Sequence, residues 1–227
     1  MIATLAKGET ILENCAQEPE IDDLILLLNK MGAKIQRHLD NPATITIQGV
    51  SKLSGAKHEV IADRNEAVTF ACAALATKGS INILRINPEI IKTFLDTITK
   101  MGAQVKKGND EVSVTWVGPL KACDIETGPH PMFMTDWQAV FTVVLSHAVG
   151  CSSIIERVFP YRFHHIKEYE KMGLKAKFFN PKVEDPKNYY EFNPESDKPE
   201  YFHGVKIYGP THLHPSNFDI NDLRTGA

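Results

Sequence analysis

Apolar residues at helical spacing predict two helices in the first half of the chain, over residues 18–31 and 88–101. A shorter helix is predicted over residues 164–172. Each of the three ends in the tripeptide Lys-Met-Gly, at residues 30–32, 100–102 and 171–173. Because glycine adopts a left-handed backbone at little steric cost, we expect each of these glycines to cap its helix.

Runs of β-branched residues on either side of these helices predict strands. The predicted strands cover residues 10–15, 80–86 and 152–158 before the helices, and 33–38, 43–48, 103–107 and 111–116 after the first two. Two longer helices are predicted over residues 65–78 and 136–149. The resulting unit of about 70 residues consists of a helix, a strand, a helix and three strands, and its repetition predicts an α/β (α+β) architecture.

Residues 181–204 interrupt the third copy where the other copies have a tight turn. This segment is rich in proline and charge, which predicts a surface loop or a partly disordered insertion. The alternative is a partner-binding loop led by Tyr189, Tyr190 and Tyr201. Neither end of the chain resembles a capping unit, so we expect a fragment of a longer polypeptide.

Composition narrows the class of protein. The net charge of −3 and the pI of about 6.3 argue against broad nucleic-acid binding, and no apolar run approaches the ~18 residues of a membrane span. The cysteines are scattered and include no Cys-x-x-Cys; they are Cys15, Cys72, Cys123 and Cys151. We therefore expect reduced thiols in a cytoplasmic protein. We expect neither nucleic acid nor a membrane as its partner.

Candidate chemistry lies at the starts of the long helices. Each start has a carboxylate, and helix capping alone accounts for a carboxylate there. Capping does not account for Arg64 or Arg224, because a helix N-terminus disfavours a cation, so these arginines indicate a phosphate- or carboxylate-binding surface. Asp136 follows a loop stiffened by two prolines and a glycine, which makes it a candidate general base.

The histidines do not indicate a metal site. His164 and His165 are predicted to lie in a solvated helix start, and adjacent histidines point to different faces. His212 and His214 could share one face of a strand, but they have no carboxylate or cysteine partner nearby in the sequence. We therefore predict no metal and no cofactor.

Five strings of the chain match motifs of one enzyme family in order and spacing. They are Glu13–Ile21 (similar to ENAAxEPEI), Asp63–Glu66 (PDRIE), Thr135–Gln138 (PGFPTDxQ), Val158–Phe163 (IFENRF) and Asp222–Arg224 (TDLRA). By these strings the chain resembles the UDP-N-acetylglucosamine 1-carboxyvinyltransferases, which are enolpyruvyl transferases. The sister family, 3-phosphoshikimate carboxyvinyltransferase, shares the repeat but not the strings.

The resemblance implies an inside-out α/β barrel-like fold with two domains of three units each and the substrates in the cleft between them. Residues 1–62 would be the last unit of the first domain, and residues 63–227 would form two units of the second, with the insertion at 181–204. The implied reaction transfers the enolpyruvyl group of phosphoenolpyruvate to the 3-hydroxyl of UDP-N-acetylglucosamine, the first committed step of peptidoglycan precursor synthesis. The missing segments of the same enzyme would be partners of this chain.

The resemblance also implies roles for single residues. Asp136 would be the acid–base carboxylate at the sugar 3-hydroxyl and would also bind the UDP-sugar. Asp222 and Arg224 would act near phosphoenolpyruvate, with Arg224 neutralising its charge. The other implied substrate-binding residues are Val158, Phe159 and Arg162 in the UDP-sugar pocket, and Glu18 and Arg64 in the cleft.

The chain departs from the family pattern in the loop before Asp136. Met132 stands where the family has glycine, and Met134 stands where it has a second proline. These departures keep an alternative open, in which the chain is a non-catalytic repeat-domain remnant or a binding protein of the same fold. In either case we expect the fragment alone to be inactive, because half of the cleft is absent.

Overall fold

The computed structural model describes residues 1–217, 219 and 220, and the chain forms two compact units, Met1–Ile61 and Ala62–Ala227. The first unit begins with a 3-10 turn at Ile2–Leu5. It continues with β1 (Glu9–Leu12), α1 (Pro19–Lys30), β2 (Lys34–Arg37) and β3 (Ile45–Gln48). Strand β3 lies between β1 and β2 and is antiparallel to both. The assignment of the two units to different domains of a longer enzyme stays a prediction.

The second unit contains the two further copies of the repeat. Its elements are α2 (Arg64–Ala76), β4 (Ser80–Leu84), α3 (Lys92–Met101), β5 (Gln104–Lys107), β6 (Glu111–Thr115), β7 (Asp124–Glu126), α4 (Gln138–His147), β8 (Gly150–Ile155), α5 (His164–Lys171), β9 (Lys175–Phe179), α6 (Pro186–Tyr189) and β10 (Gly204–Gly209). Short 3-10 turns at Pro88–Ile91, Thr135–Trp137 and Pro194–Ser196 precede or follow these helices. The predicted alternation of helix and strand is therefore confirmed.

All three sheets share one strand order. In the second sheet β6 lies between β4 and β5, and in the third β10 lies between β8 and β9, all antiparallel. Strand β7 adds to the third sheet by pairing in parallel with β8. The last strand of each copy is thus the central one, and this common order confirms the repeated unit.

The second unit buries a continuous apolar core beneath its sheets. Helices α2 and α4 pack against each other, and α4 also packs against β10. Side chains at the centre of this core, among them Val68, Phe94, Phe141, Leu145 and Ile154, are fully buried. Burying large aliphatic and aromatic side chains contributes about 1.5–3 kcal/mol each, so this core is the main source of stability for the helix starts described below.

The three Lys-Met-Gly glycines cap their helices as predicted. Gly32, Gly102 and Gly173 have φ values of +100°, +108° and +101°. In each case the glycine amide donates to a carbonyl three residues before it, and the next amide donates to a carbonyl five residues before it. These bonds satisfy carbonyls that a helix end would otherwise leave without partners.

One expectation from the sequence is wrong. His165 is only 2% exposed, with its Nε2 3.4 Å from the Thr142 hydroxyl, so it belongs to the core instead of a solvated helix start. The insertion lies at the surface, as predicted, and contains the short helix α6 and the 3-10 turn Pro194–Ser196. The burial of His165 depends on contacts with residues distant in sequence, which local composition does not reveal.

Candidate functional site

The loop of residues 127–134 leads into the 3-10 turn Thr135–Trp137, which contains Asp136 and directly precedes α4. It is closed by two backbone hydrogen bonds, from the amide of Gly128 to the carbonyl of Phe133 (2.9 Å) and from the amide of Met132 to the carbonyl of Pro129 (2.8 Å). The hydroxyl of Thr93 also donates to the carbonyl of Pro131. The loop is therefore tied at its base and at its tip, which agrees with the rigidity predicted from its prolines.

Aromatic packing anchors the turn that contains Asp136. Trp137 is 2% exposed, and its ring makes edge contacts with Phe133 (5.3 Å between centroids) and Phe94 (6.1 Å). Such contacts add about 0.5–1.5 kcal/mol beyond the area they bury. Since Trp137 follows Asp136 directly, the neighbouring backbone is fixed to the core while the Asp136 side chain remains 26% exposed.

Three residues predicted for the site come together at this turn. Arg162 Nη2 donates to Asp136 Oδ1 over 2.7 Å, and the Arg162 guanidinium lies 4.9 Å from the centre of the Phe159 ring. Residues 136 and 162 are far apart in sequence, so the fold brings them together. The pair orients a partly exposed carboxylate, which is what an acceptor of a substrate proton requires.

Glu156 joins the two halves of this arrangement. Its carboxylate is 1% exposed and accepts from Thr135 Oγ1 and Gln138 Nε2 through Oε2, each over 2.7 Å. Through Oε1 it accepts from the backbone amides of Val158 (2.7 Å) and Phe159 (2.9 Å). A buried carboxylate with four donors therefore lies between the start of α4 and the turn after β8.

The arginine at the start of α2 is buried instead of lying at the surface. Arg64 is 1% exposed, and its Nη1 is 3.4 Å from His130 Nδ1 in the loop before Asp136. The preceding Asp63 caps the helix by accepting from the amides of Asn65 (2.7 Å) and Glu66 (3.3 Å), which confirms the capping interpretation of that carboxylate. A role for Arg64 in anion binding stays a prediction.

The insertion packs against the turn that contains the candidate residues. Arg157 Nε donates to the carbonyl of Tyr189 (2.9 Å), its guanidinium lies 4.4 Å from the Tyr189 ring, and the amide of Glu191 donates to the carbonyl of Arg157 (2.8 Å). The ring of Tyr201 stacks on Tyr161 at 4.6 Å. Both tyrosine rings therefore contact the chain itself, which favours a bracing role over the partner-binding alternative.

The other predicted site residues fall outside this cluster or outside the described residues. Glu18 belongs to the first unit, where it is half-buried at the N-cap position of α1. Val158 lies in the turn after β8, and its backbone amide is one of the donors to Glu156. Asp222 and Arg224 lie outside the described residues. The substrate contacts predicted for all four residues stay predictions.

The cysteines differ in burial and therefore in reactivity. Burial raises the pKa of the Cys72 thiol far above its usual range, and burial together with the nearby charge of Asp124 raises the pKa of Cys123 to about 12. Cys151 is exposed and Cys15 is half-buried. Because the thiolate is the nucleophile, Cys72 and Cys123, whose pKa values are both raised, are poorly suited to covalent chemistry.

Residues 1–217, 219 and 220 contain neither a metal-binding cluster nor a helix that could span a membrane. No three His, Cys, Asp or Glu side chains in this part of the chain are grouped so that they could hold a metal ion. Within the same residues, every helix is too short or too polar to cross a membrane.

The sequence did not single out Glu156, Gln138 or Thr127 as site residues. Thr127 Oγ1 accepts from the amide of Arg157 (3.0 Å) and so helps to hold the turn after β8. One signal was available for Glu156, since a lone carboxylate directly follows the apolar pair Ile154-Ile155 at a strand end. A carboxylate at the end of a strand is usually solvated. Only the hydrogen bonds of Glu156 to residues distant in sequence distinguish it from such a solvated residue.

Residues 1–226 match the family model described as EPSP synthase (3-phosphoshikimate 1-carboxyvinyltransferase). Over 175 residues, 77% of this chain, the sequence is 42% identical to UDP-N-acetylglucosamine 1-carboxyvinyltransferase of Vibrio cholerae and 44% identical to that of Aliivibrio fischeri. The match covers 41% of the length of each relative. In structure, 99% of the chain superimposes on 48% of the enolpyruvyl transferase NikO from Streptomyces tendae, with a TM-score of 0.77 and 23% identity. This superposition confirms the predicted fold.

Proposed function

The chain belongs to the EPSP synthase family, and on this premise we propose that it is part of a UDP-N-acetylglucosamine 1-carboxyvinyltransferase. Such an enzyme transfers the enolpyruvyl group of phosphoenolpyruvate to the 3-hydroxyl of UDP-N-acetylglucosamine and so commits the sugar to peptidoglycan precursors. Identity of 42–44% to relatives of that name favours this acceptor over 3-phosphoshikimate. The observation that carries the proposal is the Asp136–Arg162 pair beside Phe159.

In the proposed mechanism Asp136 removes the proton of the sugar 3-hydroxyl. The oxygen then adds to C2 of phosphoenolpyruvate while a general acid of the complete enzyme donates a proton to C3. Loss of that C3 proton and of inorganic phosphate restores the double bond, so the net change is substitution of phosphate by the sugar oxygen. Arg162 holds the carboxylate in one orientation, which the proton transfer requires. Arg224 would hold the phosphate and Asp222 would act beside it.

The other proposed contacts belong to the substrate pocket. Val158, Phe159 and Arg162 would line the UDP-sugar site, and Phe159, 45% exposed, has ring surface available for the sugar. Glu18 and Arg64 would contribute to the cleft in the complete enzyme. The remaining segments of that enzyme are therefore the proposed partners of this chain, and the 227-residue chain alone is expected to show no turnover.

The test of this proposal is phosphate release from phosphoenolpyruvate by the complete enzyme containing this chain. We expect release that depends on UDP-N-acetylglucosamine and is not supported by shikimate 3-phosphate. Asp136→Asn keeps the size of the side chain and should lower kcat by about 10²–10⁴-fold. The control is Asp124→Asn, a carboxylate of the same unit whose Oδ1 accepts from Ser153 Oγ (2.7 Å). Unchanged turnover in Asp136→Asn would refute the assignment of this base.

A second candidate function is binding without catalysis. It is favoured by Met132, which takes the place of a family glycine and packs against Gly128 in the loop before Asp136. In that case the complete protein should bind UDP-N-acetylglucosamine in a calorimetric titration and yet release no phosphate. Turnover that Asp136→Asn abolishes would exclude this alternative.

A further inference from the structure

Glu156 is the buried group that connects the two halves of the candidate site. It follows β8 directly, and each oxygen of its carboxylate accepts two hydrogen bonds of 2.7–2.9 Å. Oε1 accepts hydrogen bonds from the backbone amides of Val158 and Phe159, and Oε2 accepts from the side chains of Thr135 and Gln138. Thr135 and Gln138 flank Asp136 in the sequence. The planar Glu156 carboxylate therefore bonds both to the segment that carries Asp136 and to the turn that carries Phe159.

The environment of Glu156 indicates a structural use of its carboxylate. Burying an ionised carboxylate is costly unless hydrogen bonds replace the lost water. Here four hydrogen-bond donors do so. All four donors belong to the two segments that carry Asp136 and Phe159.

We propose that Glu156 is a positioning residue, which sets the separation between Asp136 and the turn at Val158–Phe159. The proposal rests on the proposed function, since it assumes that these two segments act on one substrate. Glu156 itself contacts no substrate in this account. Its effect comes from the bonds that it makes to the neighbours of the acting residues.

Two substitutions separate the shape of Glu156 from its charge. In Glu156→Gln the remaining oxygen still accepts from Val158 and Phe159, while the new amide faces Thr135 and Gln138. The Thr135 hydroxyl can accept a hydrogen bond, and Gln138 can rotate its own amide, whose Oε1 has no partner among the described residues. Glu156→Asp keeps the charge, but one methylene less prevents it from reaching both segments.

The first readout is steady-state kinetics of the complete enzyme. Glu156→Gln should keep kcat/KM within roughly tenfold of the parent, since its four contacts survive as neutral hydrogen bonds. Glu156→Asp should lower kcat/KM by roughly 100-fold, with changes in both kcat and KM, because the base and the sugar pocket both move. A glutamate that acted through its charge would give the opposite order, and that result would overturn the proposal.

The second readout needs no turnover and uses the 227-residue chain. Amide hydrogen exchange at Val158 and Phe159 should rise by roughly 10–100-fold in Glu156→Ala, which removes their acceptor, and should stay near the parent rate in Glu156→Gln. The control is Ser146→Ala, which removes a buried hydroxyl of α4 that donates to the Val143 carbonyl (2.7 Å), away from the site. It should leave both exchange rates unchanged.

The two readouts distinguish failure of this proposal from failure of the proposed function. Unchanged exchange in Glu156→Ala overturns the positioning role, whatever the enzyme does. If the parent enzyme shows no turnover while exchange rises as expected, the proposed function is refuted and the tether between the two segments is supported. If Glu156→Ala does not fold, the order of the Gln and Asp variants still decides the question.

Discussion

Adding one methyl group at Gly128 should strain the loop that leads to Asp136. A Cβ at this position would lie 3.0 Å from both Cβ and Cε of Met132, and closer still to its sulfur. The Met132 side chain can rotate away, but its Cβ moves only with the backbone. That backbone is held by the bond from the Met132 amide to the Pro129 carbonyl, so Gly128→Ala has to displace the loop itself.

The size of this effect follows from the crowding at Met132. Overpacking of this kind costs about 1–3 kcal/mol, and the rotated side chain also gives up its 3.9 Å sulfur contact with Arg157 Nη1. Met132→Gly removes the three atoms nearest to the added methyl, which are Sδ, Cβ and Cε of Met132. In the double variant the penalty should therefore fall by about 1–2 kcal/mol relative to the sum of the single changes.

The assay is urea unfolding of the chain, combined with kcat/KM of the complete enzyme. Gly128→Ala should lower both quantities, and Met132→Gly should restore part of the loss in each. The control is Gly55→Ala, because a Cβ there meets no atom within 4 Å and the φ of Gly55 lies outside the left-handed region. Strictly additive free energies in the double variant would show that Met132 is not the source of the strain.

Two further predictions concern backbone conformation and thiol reactivity. Gly102→Ala should destabilise the chain by about 1–2 kcal/mol in the same urea assay, because φ is +108° although a Cβ has open space. Gly79→Ala should be neutral or stabilising by up to about 1 kcal/mol, since its φ is not left-handed, and equal effects of the two changes would refute this reasoning. Iodoacetamide at pH 8 should label exposed Cys151 in the folded chain, as measured by peptide mass spectrometry. It should not label Cys72 or Cys123, because their raised pKa values keep them as thiols at that pH. Fast labelling of Cys72 would contradict its burial.

The repeat and its helix ends could be predicted because their causes are local. A glycine after a helix reports a left-handed φ at that position, and all three Lys-Met-Gly glycines have one. The limits of such reasoning appear at the related position after α2, where Lys78 (φ +57°) takes the left-handed conformation and Gly79 does not. Spacing locates the helix end, but the tertiary contacts decide which residue turns the chain.

The central part of the site could be only partly predicted. Asp136, Phe159 and Arg162 were predicted through short strings, and the fold does bring them together. Glu156 was missed because its four donors come from two segments that adjoin only after β7 and β8 have paired. His165 was misjudged for the same reason, since its burial depends on Thr142 and the packing of α5 against the core. Long-range partners carry the information that local patterns lack.

The central position of β10 has a consequence for how the unit can change in evolution. Its hairpin partner β9 ends at Phe179, so the connection runs over residues 180–203, whereas the equivalent connection in the second sheet is residues 108–110. Loop closure costs about 0.6 kcal/mol per doubling of length, so a connection about eight times longer costs only about 1.8 kcal/mol. The hairpin tip therefore tolerates new sequence at a low cost in free energy. Because it packs on Arg157, such sequence can reshape the surface beside Asp136, Phe159 and Arg162 while the sheet stays intact.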